Sequence, residues 1–310
     1  MARHPEHGRD PEALLAAADA AMYASKAAGR NTWRAFSPAI GQAIADRAGA
    51  LHELRDALEH DRLELHYQPK VDLRSGACVG VEALLRRRTP DGVEGPARLI
   101  AAAEESGLIG RLGEWVVRTA AAQSRAWRRE GIALPIAVNV SGLQLRDGAF
   151  VAFLADQIRF DPQLPRFLQL ELTETSLALA SDGASEVFTE IRRLGLKLHI
   201  DDFGTGYSSL AYLPMLPMDA LKIDRGFVAG MTRSQDSREI VLAILAVARA
   251  LKLAVIAEGV ETREQAEFLA SHGCDQAQGY LYACPAPAAA AAAFAAQDHR
   301  QRAVDHQATA

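Results

Sequence analysis

The sequence has few of the residues that build cross-linked proteins or thiolate and imidazole metal sites. Its 310 residues include three cysteines, Cys78, Cys274 and Cys284, and none of them belongs to a CxxC pair. A sparse, odd number of cysteines is typical of a reducing compartment and excludes a disulfide framework. The nine histidines form no HExxH pair, which disfavours a histidine-ligated zinc site.

Long apolar runs and a surplus of basic residues are also missing. No run reaches the roughly 18 apolar residues that span a bilayer, and the first ten residues lack an apolar signal core. We therefore expect a cytoplasmic chain that makes no membrane contact itself, although a longer parent protein could be membrane-tethered. With 34 Lys and Arg against 39 Asp and Glu, the formal net charge is −5. This balance excludes a generic basic nucleic-acid binder, so no DNA partner is expected.

What is present is an ordinary globular composition, 49% hydrophobic and 24% charged. Two helical segments come first, at 11–28 and 38–62, with a short strand predicted at 32–36. From residue 63 onward, strand-like apolar runs alternate with helices, which predicts a parallel α/β fold. The predicted strands are 63–71, 77–86, 136–141, 167–173, 197–202, 220–223, 254–258 and 276–281. The predicted helices are 96–106, 110–130, 147–158, 183–194, 209–213, 236–252, 262–271 and 286–296.

Eight strands in roughly 230 residues fit a (β/α)8 TIM barrel better than an open sheet. Residues 72–76 alone join the first two strands, and such a short connection forces an antiparallel hairpin. We therefore expect an irregular barrel with an antiparallel first strand. Residues 297–310 are expected to form a disordered tail.

Six consecutive predicted strands each bring charged or amide side chains into an otherwise apolar run. Any one of them alone would more often be a helix cap or a surface residue. In a barrel, however, the carboxyl ends of the strands meet at one face, and carboxylates crowded there repel one another unless cations neutralise them. Carboxylate and amide oxygens suit Mg²⁺ or Mn²⁺, and paired ions are usual in phosphodiester hydrolysis. The pattern therefore favours metal-dependent hydrolysis of a phosphate ester by the residues Glu82, Asn139, Glu171, Asp201, Asp202, Lys222 and Glu258.

The loop at 203–209 has Gly204 and Gly206 on either side of Thr205. No GK[ST] follows, so it is not a P-loop. Three interpretations stay open: a cradle for phosphate, a structural turn, or a loop that couples metal occupancy to a partner surface.

Eight short segments occur in a specific order and at specific separations. They are Tyr67-Gln68-Pro69, Glu82-Ala83-Leu84-Leu85-Arg86, Asn139-Val140-Ser141, Glu171-Leu172-Thr173-Glu174, Asp201-Asp202-Phe203-Gly204-Thr205-Gly206, Lys222-Ile223-Asp224, Glu258-Gly259-Val260-Glu261 and Gln278-Gly279-Tyr280. Through them, residues 63 to 294 resemble the EAL-domain cyclic di-GMP phosphodiesterases. The resemblance implies an irregular TIM barrel that hydrolyses cyclic di-GMP to linear 5′-pGpG with two Mg²⁺ or Mn²⁺ ions, and Ca²⁺ is expected to inhibit. It also implies a homodimer formed on the side of the 203–209 loop.

The resemblance also assigns roles to single residues. It implies one ion held by Glu82, Asn139, Glu171 and Asp201, and a second held by Asp201, Asp202 and Glu258. It implies catalytic roles for Glu82, Lys222 and Glu258, substrate contacts from Gln68, Arg86 and Gln278, and loop support from Glu174 and Glu261. Arg86 and Lys222 are expected to supply the pocket's positive charges. Arg87 and Arg88 follow Arg86 where the family often has an aromatic residue, which could alter how the guanine or its phosphate is held.

Two other functions compete with this interpretation: a catalytically silent module that binds cyclic di-GMP, and an enzyme for another phosphodiester such as linear RNA. Residues 13–36 resemble the last helix and strand of a GGDEF (diguanylate cyclase) domain, through 18–23 and 26–31, although an unrelated amphipathic helix would look similar. The signature loop of that domain is absent, so we expect no cyclase activity from this chain. The expected domains are thus a GGDEF remnant at 1–36, a connecting helix at 37–62, the barrel at 63–296 and the tail, all within a longer tandem protein.

Overall fold

A computed structural model of the chain describes residues 1–27, 33–146, 148–179, 184–205 and 213–297. The chain divides into two compact units. The first contains Met1–Arg62 and Pro96–Ser106, and the second contains Leu63–Gly95 and the chain from Gly107 onward. The helix predicted at 96–106 groups with the first unit. In the described residues, no helix is both long enough and apolar enough to cross a lipid bilayer.

The first unit consists of helices α1 (Pro11–Ala27), α2 (Pro38–Glu59) and α3 (Ala97–Ser106). Helix α2 begins where its sequence predicts, because Ser37 accepts a hydrogen bond from the Ile40 amide and Pro38 occupies the first helical position. It contacts α3, and the small residues Ala57 of α2 and Ala103 of α3 are both almost fully buried. Helix α2 ends at Glu59, three residues earlier than predicted.

The strand predicted at 32–36 does not form in its described part, residues 33–36. The Phe36 amide donates to the Met1 carbonyl at 2.8 Å, and the Met1 amino group donates to the Arg34 carbonyl at 2.8 Å. A strand needs a ladder of successive hydrogen bonds to a neighbour. Among the described residues, Met1 alone forms backbone hydrogen bonds with this segment. The strand prediction is therefore wrong.

The second unit is a closed barrel of eight strands. The strands of this unit are β1 (Leu63–Asp72), β2 (Cys78–Thr89), β3 (Gly92–Glu94), β4 (Ile136–Asn139), β5 (Leu168–Thr173), β6 (Lys197–Phe203), β7 (Ala220–Ile223), β8 (Ala254–Ala257) and β9 (Gln276–Ala277). Strand β3 forms a hairpin with the end of β2 and is not one of the eight barrel strands. Strand β1 pairs antiparallel with β2 on one side and with β9 on the other, and the remaining neighbours in the barrel pair in parallel. The predicted irregular (β/α)8 barrel with an antiparallel first strand is therefore confirmed.

Successive side chains of a barrel strand point alternately outward, toward the helices, and inward, toward the barrel axis. Leu170 and Leu172 of β5 are buried on the outer face of the barrel, where the helices cover it, while Glu171 between them points inward. The helices after the hairpin are α4 (Ile109–Arg129), α5 (Ala149–Phe160), α6 (Glu174–Leu179), α7 (Ala184–Arg193), α8 (Arg225–Gly230), α9 (Gln235–Leu251), α10 (Arg263–Ser271) and α11 (Ala288–Ala295). The predictions missed β3, α6 and α8, which are short, and most of the helix predicted at 209–213 lies outside the described residues.

The strand predicted at 276–281 ends early, at Ala277, because its neighbour β8 ends at Ala257 and offers no further partner. The backbone then turns around Val260, whose amide donates to the Gln278 carbonyl at 3.0 Å. This turn needs Gly279, since a Cβ there would lie 2.2 Å from the Val260 carbonyl oxygen. The turn holds Gln278 beside the barrel mouth.

We expect Gly279→Ala to lower the free energy of unfolding by about 1–3 kcal/mol, because backbone atoms rather than a flexible side chain must move. Gly110→Ala is the matched control, since a Cβ at that helical position meets nothing within 4 Å. The control should be neutral or stabilising by up to about 1 kcal/mol. Urea unfolding of both variants measures the difference, and equal stabilities would contradict the close approach at Gly279.

Candidate active site

Four strands bring carboxylates together at the carboxyl-end mouth of the barrel. Glu82, Glu171 and Asp201 each bring one carboxylate oxygen to within 4.8 Å of the others, and so do Asp201, Asp202 and Glu258. Asp201 belongs to both groups. We call these five residues the carboxylate cluster. The strand-end pattern thus predicted side chains that do meet in space, although their positions along the chain span 177 residues.

Lys222 of β7 lies in the middle of the carboxylate cluster and is fully buried. Its Nζ is 2.7 Å from Glu171 Oε2, 3.0 Å from Asp201 Oδ1, 3.3 Å from Glu82 Oε2 and 2.5 Å from Glu258 Oε1. A surface lysine on an edge strand is therefore excluded. One ammonium group offsets the repulsion among four carboxylates at once.

Amide side chains orient Glu82. Asn139 Nδ2 donates to Glu82 Oε1 at 2.8 Å, and Gln278 Nε2 donates to Glu82 Oε2 at 2.7 Å. Gln278 Nε2 also donates to Gln68 Oε1 at 2.9 Å, and Gln68 Nε2 in turn donates to the Ala283 carbonyl at 3.0 Å. This chain of hydrogen bonds links two predicted substrate contacts, Gln68 and Gln278, to a predicted metal ligand.

Two further buried groups, which the sequence reasoning missed, lie beside the carboxylate cluster. Lys70 of β1 is 2% exposed, and its Nζ lies 2.5 Å from Glu171 Oε1. His199 of β6 is 4% exposed, and its Nδ1 lies 3.6 Å from the same oxygen. The two-residue period of strands could have found both, because Lys70 shares a face with Gln68 and His199 shares one with Asp201.

Arg86, a predicted substrate contact, bonds to the backbone of its own strand. Its Nη1 donates to the Leu85 carbonyl at 2.9 Å, and no ion pair joins it to the carboxylate cluster in the described structure. Arg87 pairs instead with Glu94 at 2.6 Å, and Arg88 with Glu64 at 3.6 Å. Lys70 rather than Arg86 is therefore the second cation at the carboxylates.

The two residues predicted to support the loop differ in their surroundings. Glu174 is buried, and its Oε2 accepts a hydrogen bond from the Gly204 amide at 2.8 Å, close to the start of the 203–209 loop. Residues 206–209 of that loop lie outside the described residues. Glu261 is exposed, and its backbone amide donates to Gln265 Oε1 at 2.8 Å beside the N-cap of α10.

The crowding changes the proton affinities of the carboxylates. Burial, with the neighbouring acids, raises the pKa of Glu258 to about 8 and that of Asp201 to about 6, although Lys222 opposes both shifts. Burial also raises the pKa of Asp202. Burial acts on Glu171 in the same direction, but Lys222 and Lys70 outweigh it and hold its pKa well below 4.5. For Lys222, the surrounding carboxylates outweigh burial and hold its pKa well above 10.5.

This donor set fits a hard divalent cation. It offers carboxylate oxygens from five residues, with the Asn139 amide 2.8 Å from Glu82 Oε1, and among the described residues neither group includes a thiolate or an imidazole. Burial makes like charges costly unless cations compensate them. The shared Asp201 suits an arrangement in which one carboxylate serves two neighbouring ions.

The family model described as the EAL domain matches residues 51–285. The chain belongs to the EAL domain family. It is 42% identical over 294 residues to "Cyclic di-GMP phosphodiesterase PdeR" of Escherichia coli, covering 94% of this chain and 44% of that relative. It is 42% identical over 290 residues to "Bifunctional diguanylate cyclase/cyclic di-GMP phosphodiesterase MucR" of Pseudomonas aeruginosa, covering 93% of this chain and 42% of that relative. The chain thus spans less than half the length of these relatives.

Among solved structures, the EAL domain is similar to the "PaMucR Phosphodiesterase, c-di-GMP complex". The TM-score is 0.75 at 43% sequence identity, covering 78% of this chain and 99% of that one. It is also similar to the EAL enzyme Bd1971 in its cAMP-bound form, with a TM-score of 0.75 at 32% identity, covering 82% of this chain and 71% of that one.

The raised pKa values predict how the stability of the chelator-treated EAL domain depends on pH. Folded Asp201 and Glu258 keep protons at pH values where the unfolded chain has released them, so stability falls as pH rises from about 5 to about 8. Glu171, with its lowered pKa, acts only below 4.5. The thermal unfolding midpoint of the wild type should therefore fall across this pH range. In Glu258→Gln the midpoint should depend less on pH, whereas the exposed control Glu130→Gln should behave as the wild type does. An unchanged pH dependence in Glu258→Gln would contradict the raised pKa of Glu258.

Proposed function

We propose that this chain hydrolyses cyclic di-GMP to linear 5′-pGpG with the assistance of two divalent ions, Mg²⁺ or Mn²⁺. The proposal rests on one observation: two sets of three carboxylate residues lie at the mouth of the barrel, and Asp201 belongs to both sets. The two relatives PdeR and MucR are both named as cyclic di-GMP phosphodiesterases, which supports the substrate.

In this proposal one ion is held by Glu82, Asn139, Glu171 and Asp201, and the other by Asp201, Asp202 and Glu258. When bound, such ions supply Lewis-acid activation of water and neutralise charge on the phosphoryl oxygens. The buried carboxylates supply the negative charge that binds them, and the hydrogen bonds from Asn139 and Gln278 keep Glu82 oriented. Ca²⁺ inhibits, because its looser coordination disfavours the required geometry.

The protein's own groups orient and deprotonate the attacking water. Lys222 Nζ orients this water by a hydrogen bond, and Glu258 accepts its proton. Gln68, Gln278 and Arg86 contact the dinucleotide. Arg86 lies four residues beyond Glu82 on the same face of β2, nearer the mouth, so its guanidinium suits a phosphate or a guanine edge.

Glu82→Ala should abolish turnover, because Glu82 is central to the first carboxylate group. The assay follows cyclic di-GMP and pGpG by mass in the presence of Mg²⁺, Mn²⁺ or Ca²⁺. Glu130→Ala, at an exposed helix end, is the matched control and should keep the parent rate. Hydrolysis by Glu82→Ala at the parent rate would reject the mechanism.

A silent binding module is the alternative from another class, and metal removal distinguishes it. Without metal the carboxylate cluster repels an anionic ligand, so a chelator should weaken cyclic di-GMP binding by at least about tenfold. Calorimetry with and without chelator measures the change. Binding that survives the chelator, with no pGpG formed in Mg²⁺, would favour the binding module.

An enzyme for linear RNA is the other alternative, and competition by unlabelled cyclic di-GMP tests it.

The remaining predictions concern the longer protein. We propose that residues 1–36 are the end of a GGDEF domain, which the bifunctional name of MucR and matches covering more than nine tenths of this chain support. The connecting helix at 37–62, the tail at 297–310, a cytoplasmic location and a homodimer through the 203–209 loop stay predictions.

A further inference from the structure

Lys70 is a buried charge that the proposed mechanism does not use. It lies on β1, where it is 2% exposed, and its ion-pair partner Glu171 is fully buried. Burying an ion pair costs desolvation energy that its attraction often fails to recover, so such a pair is weak evidence for a role in stability. Its place beside the carboxylate cluster suggests a different role.

The strand register places Lys70 below the carboxylate cluster. Gln68 lies opposite Glu82 in the β1–β2 pair, whereas Lys70 lies opposite Gly80, two residues deeper in the barrel. Gln68 and Lys70 share the inward face of β1. The Lys70 side chain therefore reaches Glu171 from the side away from the mouth.

The two oxygens of Glu171 consequently have different surroundings. Oε2 faces the carboxylate cluster, since it is 2.7 Å from Lys222 Nζ, which also contacts Asp201 at 3.0 Å. Oε1 accepts a hydrogen bond from Lys70 Nζ at 2.5 Å, and His199 Nδ1, at 3.6 Å, is beyond hydrogen-bonding distance. With Oε1 engaged in this way, Glu171 offers one oxygen to the cluster.

We propose that Lys70 is a positioning residue that restricts Glu171 to single-oxygen ligation and thereby favours Mg²⁺ over Ca²⁺. Mg²⁺ requires six ligands in a compact octahedron, which single carboxylate oxygens satisfy. Ca²⁺ accepts six to eight ligands and readily takes both oxygens of one carboxylate. The inference rests on the proposed function, because it requires Glu171 to be a metal ligand.

Lys70→Met tests this role by removing the donor to Oε1 while keeping an unbranched side chain. Calorimetric titration measures the dissociation constants of Mg²⁺ and Ca²⁺, and the readout is the ratio of the Mg²⁺ constant to the Ca²⁺ constant. Loss of a nearby positive charge strengthens the binding of both divalent ions by the same factor, which cancels in the ratio. A change in the ratio therefore reports a change in ligation geometry. We expect the ratio to rise about tenfold in Lys70→Met, because loss of a group that orients a metal ligand usually changes metal affinity by about that factor. Lys197→Met, at an exposed lysine, should leave it unchanged.

A double-mutant cycle assigns the effect to Glu171. In the Glu171→Gln background, Lys70→Met should leave the ratio unchanged within about twofold. A shift there, or none in the wild-type background, overturns the proposal. Should Lys70→Met fail to fold by circular dichroism, Lys70→Ile, whose branched side chain suits a buried strand, is measured with the same outcomes. A wild-type chain that binds neither ion overturns the proposed metal centre itself, whereas binding without a shift in the ratio overturns only the role of Lys70.

Discussion

Repulsion among the five carboxylates at the barrel mouth is the constraint on which the rest of the site depends. Like charges at such distances cannot all stay ionised in a buried environment without compensation. Lys222 compensates four of them from the centre, and Lys70 compensates Glu171 from below. The repulsion that remains, together with burial, raises the pKa of Glu258 and that of Asp201.

The closed barrel is what allows this concentration of charge. Its backbone groups pair around the ring, and the outward faces of the parallel strands bury aliphatic side chains such as Leu170, so the fold does not depend on the polar interior for its hydrophobic core. The antiparallel strand β1 adds something a regular barrel would lack. Because it runs from the mouth inward, Gln68 comes near the mouth and Lys70 comes below it.

Sequence reasoning succeeded where a local pattern carries the information. Alternation within Leu170-Glu171-Leu172 is enough to turn Glu171 inward, and the 72–76 connection is short enough to force the hairpin. It failed where the outcome depends on a distant partner. The strand at 276–281 stops after two residues because β8 has already ended, and the segment at 33–36 lacks a neighbouring strand in the described chain.

The sequence by itself determined the family, the barrel and the set of acidic residues, since short motifs and strand periodicity are properties of neighbouring positions. Only the tertiary structure decided which cations meet those acids. The family resemblance pointed to Arg86 as a source of positive charge, whereas Lys70, in a strand of mixed polar and apolar residues, is the buried partner of Glu171. The physical reason is that this pairing crosses the barrel between β1 and β5, which are 101 positions apart at the two residues, and closure of the sheet alone brings them together.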